Sequence, residues 1–175
     1  MSDGDADPLI VTLEADATSQ DRFEQARRRW FPAERNIVPA HVTLFHNLPG
    51  ARLAEIADRL TRVAESTPPP PFRVREVMAL GRGAALRLDL PAGDALRAAI
   101  AEGFETVAQD RGRLRAHVTV QNKVPAEVAE ATLATLRAQF DPWDGQFTAL
   151  RLWWYRGGPW EAAGRYPFAA SSGAD

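Results

Sequence analysis

The sequence contains no cysteine among its 175 residues, which excludes disulfides, thiolate nucleophiles and cysteine-ligated zinc together. It also lacks an apolar run near the roughly 18 residues that a membrane-spanning helix needs. The acidic start MSDGDADPLIV has neither the basic segment nor the apolar core of a signal peptide. From these absences we expect a soluble, cytoplasmic protein that makes no membrane contact.

The chain has almost no excess charge, with 21 Lys and Arg residues against 23 Asp and Glu residues. No global field therefore draws it to nucleic acid, and any phosphate site must be local. The glycines of GRG (81–83) and RGG (156–158) lack the spacing of a dinucleotide or Walker site. The three histidines form no His-x-x-x-His pair, and no carboxylate shares the predicted face of the two motif histidines described below. We therefore expect no metal and no cofactor.

The hydrophobic patterning predicts an α+β fold within a single domain covering residues 1–175, with an ordered core over about 9–168. Strand patterns fall at 9–14, 37–46, 72–80, 84–90, 114–122 and in an aromatic hairpin over 146–168. Helical spacing falls at 16–31, 51–66, 92–110 and 125–140. The proline-rich segment 67–72 cannot continue a helix, so we expect two lobes to meet there.

Two short stretches repeat one pattern, AHVTL at 40–44 and AHVTV at 116–120. Side chains alternate across a strand, so His41 and Thr43 share one face, and His117 and Thr119 share the equivalent face. The residues between them are apolar and suit a core. Two such strands facing one another would present a pair of imidazoles and a pair of hydroxyls to one cleft.

This set of groups suits phosphodiester chemistry without a metal. One neutral imidazole can take a proton from an attacking water or hydroxyl, while the other, protonated, donates to the leaving oxygen. The threonine hydroxyls can hydrogen-bond the non-bridging oxygens as charge develops. A single His-x-Thr strand is more often structural, but two copies of matching parity favour a catalytic site formed by His41, Thr43, His117 and Thr119.

The same parity gives three candidates for contacts to substrate: Phe45, Arg115 and Gln121. Phe45 could stack a base and Arg115 could bind phosphate in a fork. Core packing for Phe45 and a surface ion pair for Arg115 are equally open. His46 falls on the opposite parity and is expected to have no chemistry, and the arginines at 27–29 are expected to form a solvated helix face.

The paired motifs, within PAHVTLFHNLPG and RAHVTVQNKV, together with the ending WYRGGPWE, resemble the 2H phosphoesterase superfamily. The likeness is to its bacterial 2′-5′ RNA ligase-like branch and covers about residues 9–168. It implies a bilobal domain with two pseudo-symmetric antiparallel sheets and flanking helices around a central cleft. It also implies metal-independent action on 2′,3′-cyclic phosphates or 2′-5′ linkages of RNA ends or small nucleotides. The resemblance favours His117 as base and His41 as acid.

Two other classes of function remain open on the sequence. One is a catalytically silent module of the same fold that binds a nucleotide or phosphate. The other is an interaction domain whose histidines are structural. The presence of both histidines and both threonines argues against a silent module. A monomer is expected in each case.

Overall fold

The computed structural model describes residues 6–170 of the chain. Within them it forms the following helices and strands: β1 (Leu9–Ala15), α1 (Ala17–Trp30), β2 (Val42–Leu48), α2 (Leu53–Glu65), β3 (Pro71–Ala79), β4 (Ala84–Asp89), α3 (Gly93–Ala101), β5 (His117–Gln121), α4 (Ala126–Gln139), β6 (Trp143–Trp154) and β7 (Glu161–Pro167). The order strand, helix, strand, helix occurs twice, in β1-α1-β2-α2 and in β4-α3-β5-α4. The α+β prediction is confirmed.

The described strands form one antiparallel sheet of seven strands, in the order β2-β1-β6-β3-β4-β5, with β7 also paired to β6. Two separate sheets were expected, and the length of β6 explains the difference. Its start, Trp143–Gln146, pairs with β3, whereas Phe147–Trp154 pairs with β1. One 12-residue strand therefore carries main-chain hydrogen bonding from one half of the molecule to the other.

The sheet curls so that its two end strands meet. β2 and β5 stand at opposite ends of the strand order, yet residues of the two strands contact each other. Helix α1 packs against β5, although it follows β1 in the chain. The strong right-handed twist of antiparallel sheets permits such curling. As a result the two His-x-Thr segments, which lie far apart in the sequence, face one region.

The core is one apolar cluster that includes the inward faces of both motif strands. Val42 and Leu44 on β2 and Val118 and Val120 on β5 are almost fully buried and belong to it. The apolar stripe of α2 contributes Ile56, Leu60 and Ala64, all nearly inaccessible to solvent. Burying each large aliphatic side chain contributes about 1.5–3 kcal/mol to the stability of the fold. The buried apolar residues of each motif therefore hold the strand that carries its histidine and threonine in place.

Helix α3 ends earlier than its apolar spacing predicts. The pattern extended the helix to residue 110, but α3 stops at Ala101, and Gly103 follows with φ of +81°, a conformation that favours glycine. Arg59 on α2 donates from Nη1 to the carbonyl oxygen of Glu102 at 2.6 Å. The ring centroid of Phe104 lies 5.1 Å from the guanidinium carbon of Arg59. The apolar side chain of Phe104 therefore packs from a loop and not from a helix.

Candidate active site

The two motif histidines are held by the same local contact. The Nδ1 atom of His41 lies 2.7 Å from the carbonyl oxygen of Pro39, and that of His117 lies 2.7 Å from the carbonyl oxygen of Arg115. A carbonyl oxygen only accepts, so Nδ1 carries the hydrogen in each neutral ring. Nε2 is then the nitrogen with a lone pair, able to exchange a proton with a bound molecule.

The strands around the histidines also have the same irregularity. The pairing register shifts by one residue between Thr43 and Phe45 on β2, and between Thr119 and Gln121 on β5. Each shift is a β-bulge placed directly after the threonine. Burial follows the bulge in both strands: histidine and threonine are half-buried, while the residues at the bulge are buried.

These bulges overturn two sequence predictions. Simple alternation placed Phe45 and Gln121 beside the threonines, facing substrate. The structure buries both, with 0% of Phe45 and 2% of Gln121 exposed. The amide nitrogen of Gln121 donates to the hydroxyl of Thr132 on α4 at 2.8 Å. The extra residue in each strand turns the following side chain into the protein, so neither one lines the cleft.

Arg115 remains at the surface beside the second motif. It is exposed and lines a cavity of about 620 Å³ together with Arg87 and Arg113. Arg87 is the direct partner of His117 across β4 and β5, and its Nη1 lies 3.2 Å from a carboxylate oxygen of Glu76. Three arginines thus line this cavity, one of them the cross-strand partner of His117, and a phosphate contact by Arg115 remains a prediction.

Arg27 is the residue that sequence reasoning missed. It was expected on a solvated face, but only 4% of it is exposed. Its Nη1 donates to the carbonyl oxygen of Thr119 at 2.8 Å, and its Nη2 donates to that of Val38 at 3.1 Å. The sequence did hold a signal, because Arg27 follows the buried Phe23 by four residues on α1.

His41 is strongly biased toward its neutral form. Burial lowers the pKa of His41 from 6.5 to about 4, against the opposing effect of its hydrogen bond to Pro39. The positive charge of Arg27 lowers this pKa further, as do charges on His117 and His46. The two motif histidines are therefore close enough for their charges to interact. A neutral His41 at neutral pH suits a base, the reverse of the role that the family resemblance favours.

The third histidine, His46, belongs to a structural contact. Its Nδ1 lies 2.7 Å from Oδ1 of Asp110, whose side chain is fully buried. The same carboxylate accepts backbone hydrogens from His46 at 2.8 Å and from Asn47 at 3.1 Å. Through these contacts Asp110, which lies in the loop before the second motif, holds that loop against β2 next to the first motif.

Aromatic rings extend from His41 along one wall of the site. The ring centroid of Trp160 lies 4.8 Å from that of His41, and the ring centroids of Trp153 and Trp160 are 6.2 Å apart. The indole nitrogen of Trp153 donates to the hydroxyl of Thr12 at 3.0 Å. Trp153 is mostly buried and fixed by this bond, whereas the half-buried Trp160 offers ring surface beside the imidazole.

Neither a metal site nor a membrane segment was found in residues 6–170. No three His, Asp or Glu side chains there are grouped so that they could hold a metal ion. Over the same range, no helix combines the length and the apolar character needed to cross a bilayer.

Solved structures with this architecture identify the class of fold. TT0787 of Thermus thermophilus superposes with a TM-score of 0.63 at 13% identity, covering 92% of this chain and 97% of that one. E. coli LigT complexed with NADP+ gives a TM-score of 0.59 at 15% identity, covering 93% and 98%. LigT complexed with 3′-AMP gives 0.53 at 18% identity, with the same coverage. The chain has a LigT-like fold.

Sequence comparison then defines the family. The profile of the 2′-5′ RNA ligase superfamily matches residues 15–159, and the chain belongs to that superfamily. The matched segment contains both His-x-Thr motifs and ends one residue before Trp160. Comparison with curated proteins finds no significant match. The resemblance drawn from the motifs is thereby confirmed.

Proposed function

We propose that this protein is a metal-independent phosphoesterase or transferase that acts on ribose 2′,3′-cyclic phosphates or 2′-5′ phosphodiester linkages. The observation that carries the proposal is the matched pair of histidines, each with Nδ1 held 2.7 Å from the carbonyl oxygen two residues earlier. Both rings thus have a fixed tautomer and present Nε2 for proton transfer. Family membership and the nucleotide complexes named for LigT agree with such a substrate.

The proposed reaction divides proton transfer between the two imidazoles. Nε2 of neutral His41 takes a proton from water as the water oxygen forms a bond to phosphorus. The bond from phosphorus to one ribose oxygen breaks, and Nε2–H of protonated His117 donates to that leaving oxygen. A cyclic phosphate becomes a ribose phosphomonoester in this way. If a ribose hydroxyl replaces water, the same steps form a 2′-5′ linkage.

The threonines complete the site in this proposal. Thr43 and Thr119 each lie two residues after a catalytic histidine, on the same side of its strand and half-buried. Their hydroxyls would donate to the non-bridging oxygens, which gain negative charge as the new bond forms. Since His41 is neutral at pH 7, its role as base requires no prior loss of a proton.

A substrate panel tests the proposal directly. Cyclic mononucleotides, oligonucleotides ending in a cyclic phosphate, 2′-5′ linked dinucleotides and ADP-ribose cyclic phosphate would be assayed with a chelator present. We expect turnover of at least one class and its loss in His41→Ala and His117→Ala. Activity that disappears in chelator and returns with zinc or manganese would contradict the metal-free mechanism. Thermal stabilisation by these ligands without any turnover would instead support the silent binding module.

A further inference from the structure

Arg151 lies on the same face of the sheet as the first motif. Thr43 on β2 pairs directly with Thr12 on β1, and Thr12 pairs directly with Arg151 on β6. Side chains of directly paired residues stand on one face of the sheet. Neighbouring strands lie about 4.8 Å apart, so the backbones of Thr43 and Arg151 are separated by about 10 Å.

An aromatic wall connects this arginine to the proposed base. The guanidinium carbon of Arg151 lies 4.6 Å from the ring centroid of Trp153, which neighbours Trp160, which in turn neighbours His41. Two indole rings therefore link the guanidinium to the imidazole through a chain of contacts. Arg151 therefore lies two strands from the motif threonine, on the side of the site that the aromatic wall forms.

Within residues 6–170, the Nε atom of Arg151 differs in its hydrogen bonding from the Nε atom of its neighbour Arg165. The Nε of Arg151 is buried and makes no hydrogen bond with any described part of the chain. Arg165, the direct partner of Arg151 on β7, donates from its Nε to a carboxylate oxygen of Glu14 at 2.7 Å. A buried donor without an acceptor costs free energy, and a bound anion removes that cost. Arg151 is thus the cation of this row that is available to a ligand.

We propose that Arg151 binds a second phosphate of the substrate, placed on the 5′ side of the reacting ribose. This inference rests on the proposed function, and it specifies the substrate class as a nucleotide with a phosphate beyond the reacting one. The fork of a guanidinium matches two phosphate oxygens at once. The exposed surface of Trp160 lies between the two phosphate positions, where a ribose or nucleobase packs against the ring. The 5′ phosphate is either a monoester or the next phosphodiester of an RNA strand.

Kinetics on three substrates test this assignment. They are adenosine 2′,3′-cyclic phosphate, the same compound with a 5′-phosphate, and a dinucleotide ending in the cyclic phosphate. We expect Arg151→Met to lower kcat/KM about 10- to 100-fold on one or both phosphate-bearing substrates, mainly through KM, as befits loss of a charge-assisted hydrogen bond. On adenosine 2′,3′-cyclic phosphate, kcat/KM should change by no more than about two-fold. The substrate on which kcat/KM falls shows whether Arg151 binds a 5′ phosphomonoester or a phosphodiester.

The matched control is Arg165→Met, which removes an arginine from the same row that already has a carboxylate partner. Its kinetics on all three substrates should stay close to wild type. An equal loss on all three substrates in Arg151→Met would place the residue at the reacting phosphate and overturn the proposal. Unchanged kinetics, or an equal effect of Arg165→Met, would overturn it as well.

A binding measurement separates this inference from the catalytic proposal. Calorimetry would compare adenosine 3′,5′-bisphosphate with adenosine 3′-phosphate on wild type and on Arg151→Met. We expect the bisphosphate to bind about ten-fold more tightly to wild type only. Equal affinity of the two ligands for wild type would overturn the second phosphate site. The result stands even if the substrate panel shows no turnover, so the two proposals fail separately.

Discussion

Arg27 on the first helix donates a hydrogen bond from Nη1 to the carbonyl oxygen of Thr119, 92 residues further along the chain, at 2.8 Å. Its other terminal nitrogen binds the carbonyl oxygen of Val38, three residues before His41. One buried side chain therefore contacts both segments that carry the motif histidines. Its charge also lowers the pKa of His41. Arg27 acts as a positioning residue in the proposed site, because it affects the chemistry through His41.

Replacing Arg27 should move the pH dependence of the reaction. In Arg27→Met the pKa of His41 rises because a neighbouring positive charge is lost. The acidic limb of kcat/KM should therefore shift to higher pH, and thermal unfolding should show a loss of about 1–3 kcal/mol from the unpaired carbonyl oxygens. Arg27→Lys keeps the charge and should leave the limb in place.

The control for Arg27 is Arg29→Met on the same helix, where the side chain is exposed and stacks on Trp30 at 4.5 Å. We expect its pH profile to match wild type. If Arg27→Met lost activity uniformly at every pH, the arginine would be a purely structural residue.

The two histidines should act as one unit in the pH–rate profile. The base must be neutral, so kcat/KM should rise with pH through about 4, the pKa of His41, and a second limb should report the general acid. His41→Ala should remove the acidic limb and His117→Ala the basic limb. The double variant should be scarcely slower than either single one, since members of a catalytic unit are strongly non-additive.

The limb that each variant loses also assigns the roles. Loss of the acidic limb in His117→Ala would restore the assignment implied by the family resemblance. Two independent and additive losses, with the profile otherwise unchanged, would mean that the histidines are not partners.

The threonine hydroxyls should matter for rate and not for folding. Thr43→Val and Thr119→Val keep the side-chain shape and the strand preference while deleting one hydroxyl. Each should lower kcat about 10- to 1,000-fold if the hydroxyl bonds charge that develops in the transition state. Tm should stay near wild type, because both side chains are only half-buried. Wild-type kcat in both variants would leave the threonines as strand-forming residues only.

Phe45 should behave as a core residue. Phe45→Leu should lower the free energy of unfolding by about 1–3 kcal/mol through imperfect packing of a fully buried site. KM should remain unchanged, because the ring does not reach the cleft. Urea unfolding and steady-state kinetics on one preparation measure both effects. A raised KM with unchanged stability would show that Phe45 contacts substrate.

Sequence patterning was sufficient for the motifs up to the threonines and failed directly after them. Alternation groups His41 with Thr43 and His117 with Thr119, and all four are half-buried: His117 and Thr119 lie in β5, Thr43 lies in β2, and His41 directly precedes β2. The bulge that follows leaves no mark in the residue types, since buried Leu44 and Val120 fit a regular strand equally well. Register depends on the partner strand, which a single sequence does not contain.

The single sheet was hidden for a similar reason. The predicted final hairpin began at residue 146, while β6 begins at Trp143 and includes Asp144 and Gly145. Aspartate and glycine are poor strand formers, so local preference argues against a strand there. Pairing with β3 overrides it: Gly145 pairs with Phe72, and the carboxylate of Asp144 lies 2.9 Å from Nη1 of Arg73. These contacts join residues that are far apart in the sequence, so local sequence preferences do not predict them.

The long strand β6 also determines what fixes the spacing of the two histidines. Because β6 is hydrogen-bonded to β1 and β7 over one part and to β3 over the other, the two halves of the molecule are joined by backbone hydrogen bonds in addition to the proline-rich segment 67–72. If the chain were cut within that segment, the hydrogen bonds of β6 to β1 and to β3 would still hold the two halves together. The spacing of the two histidine segments is thus set by the curvature of one continuous sheet.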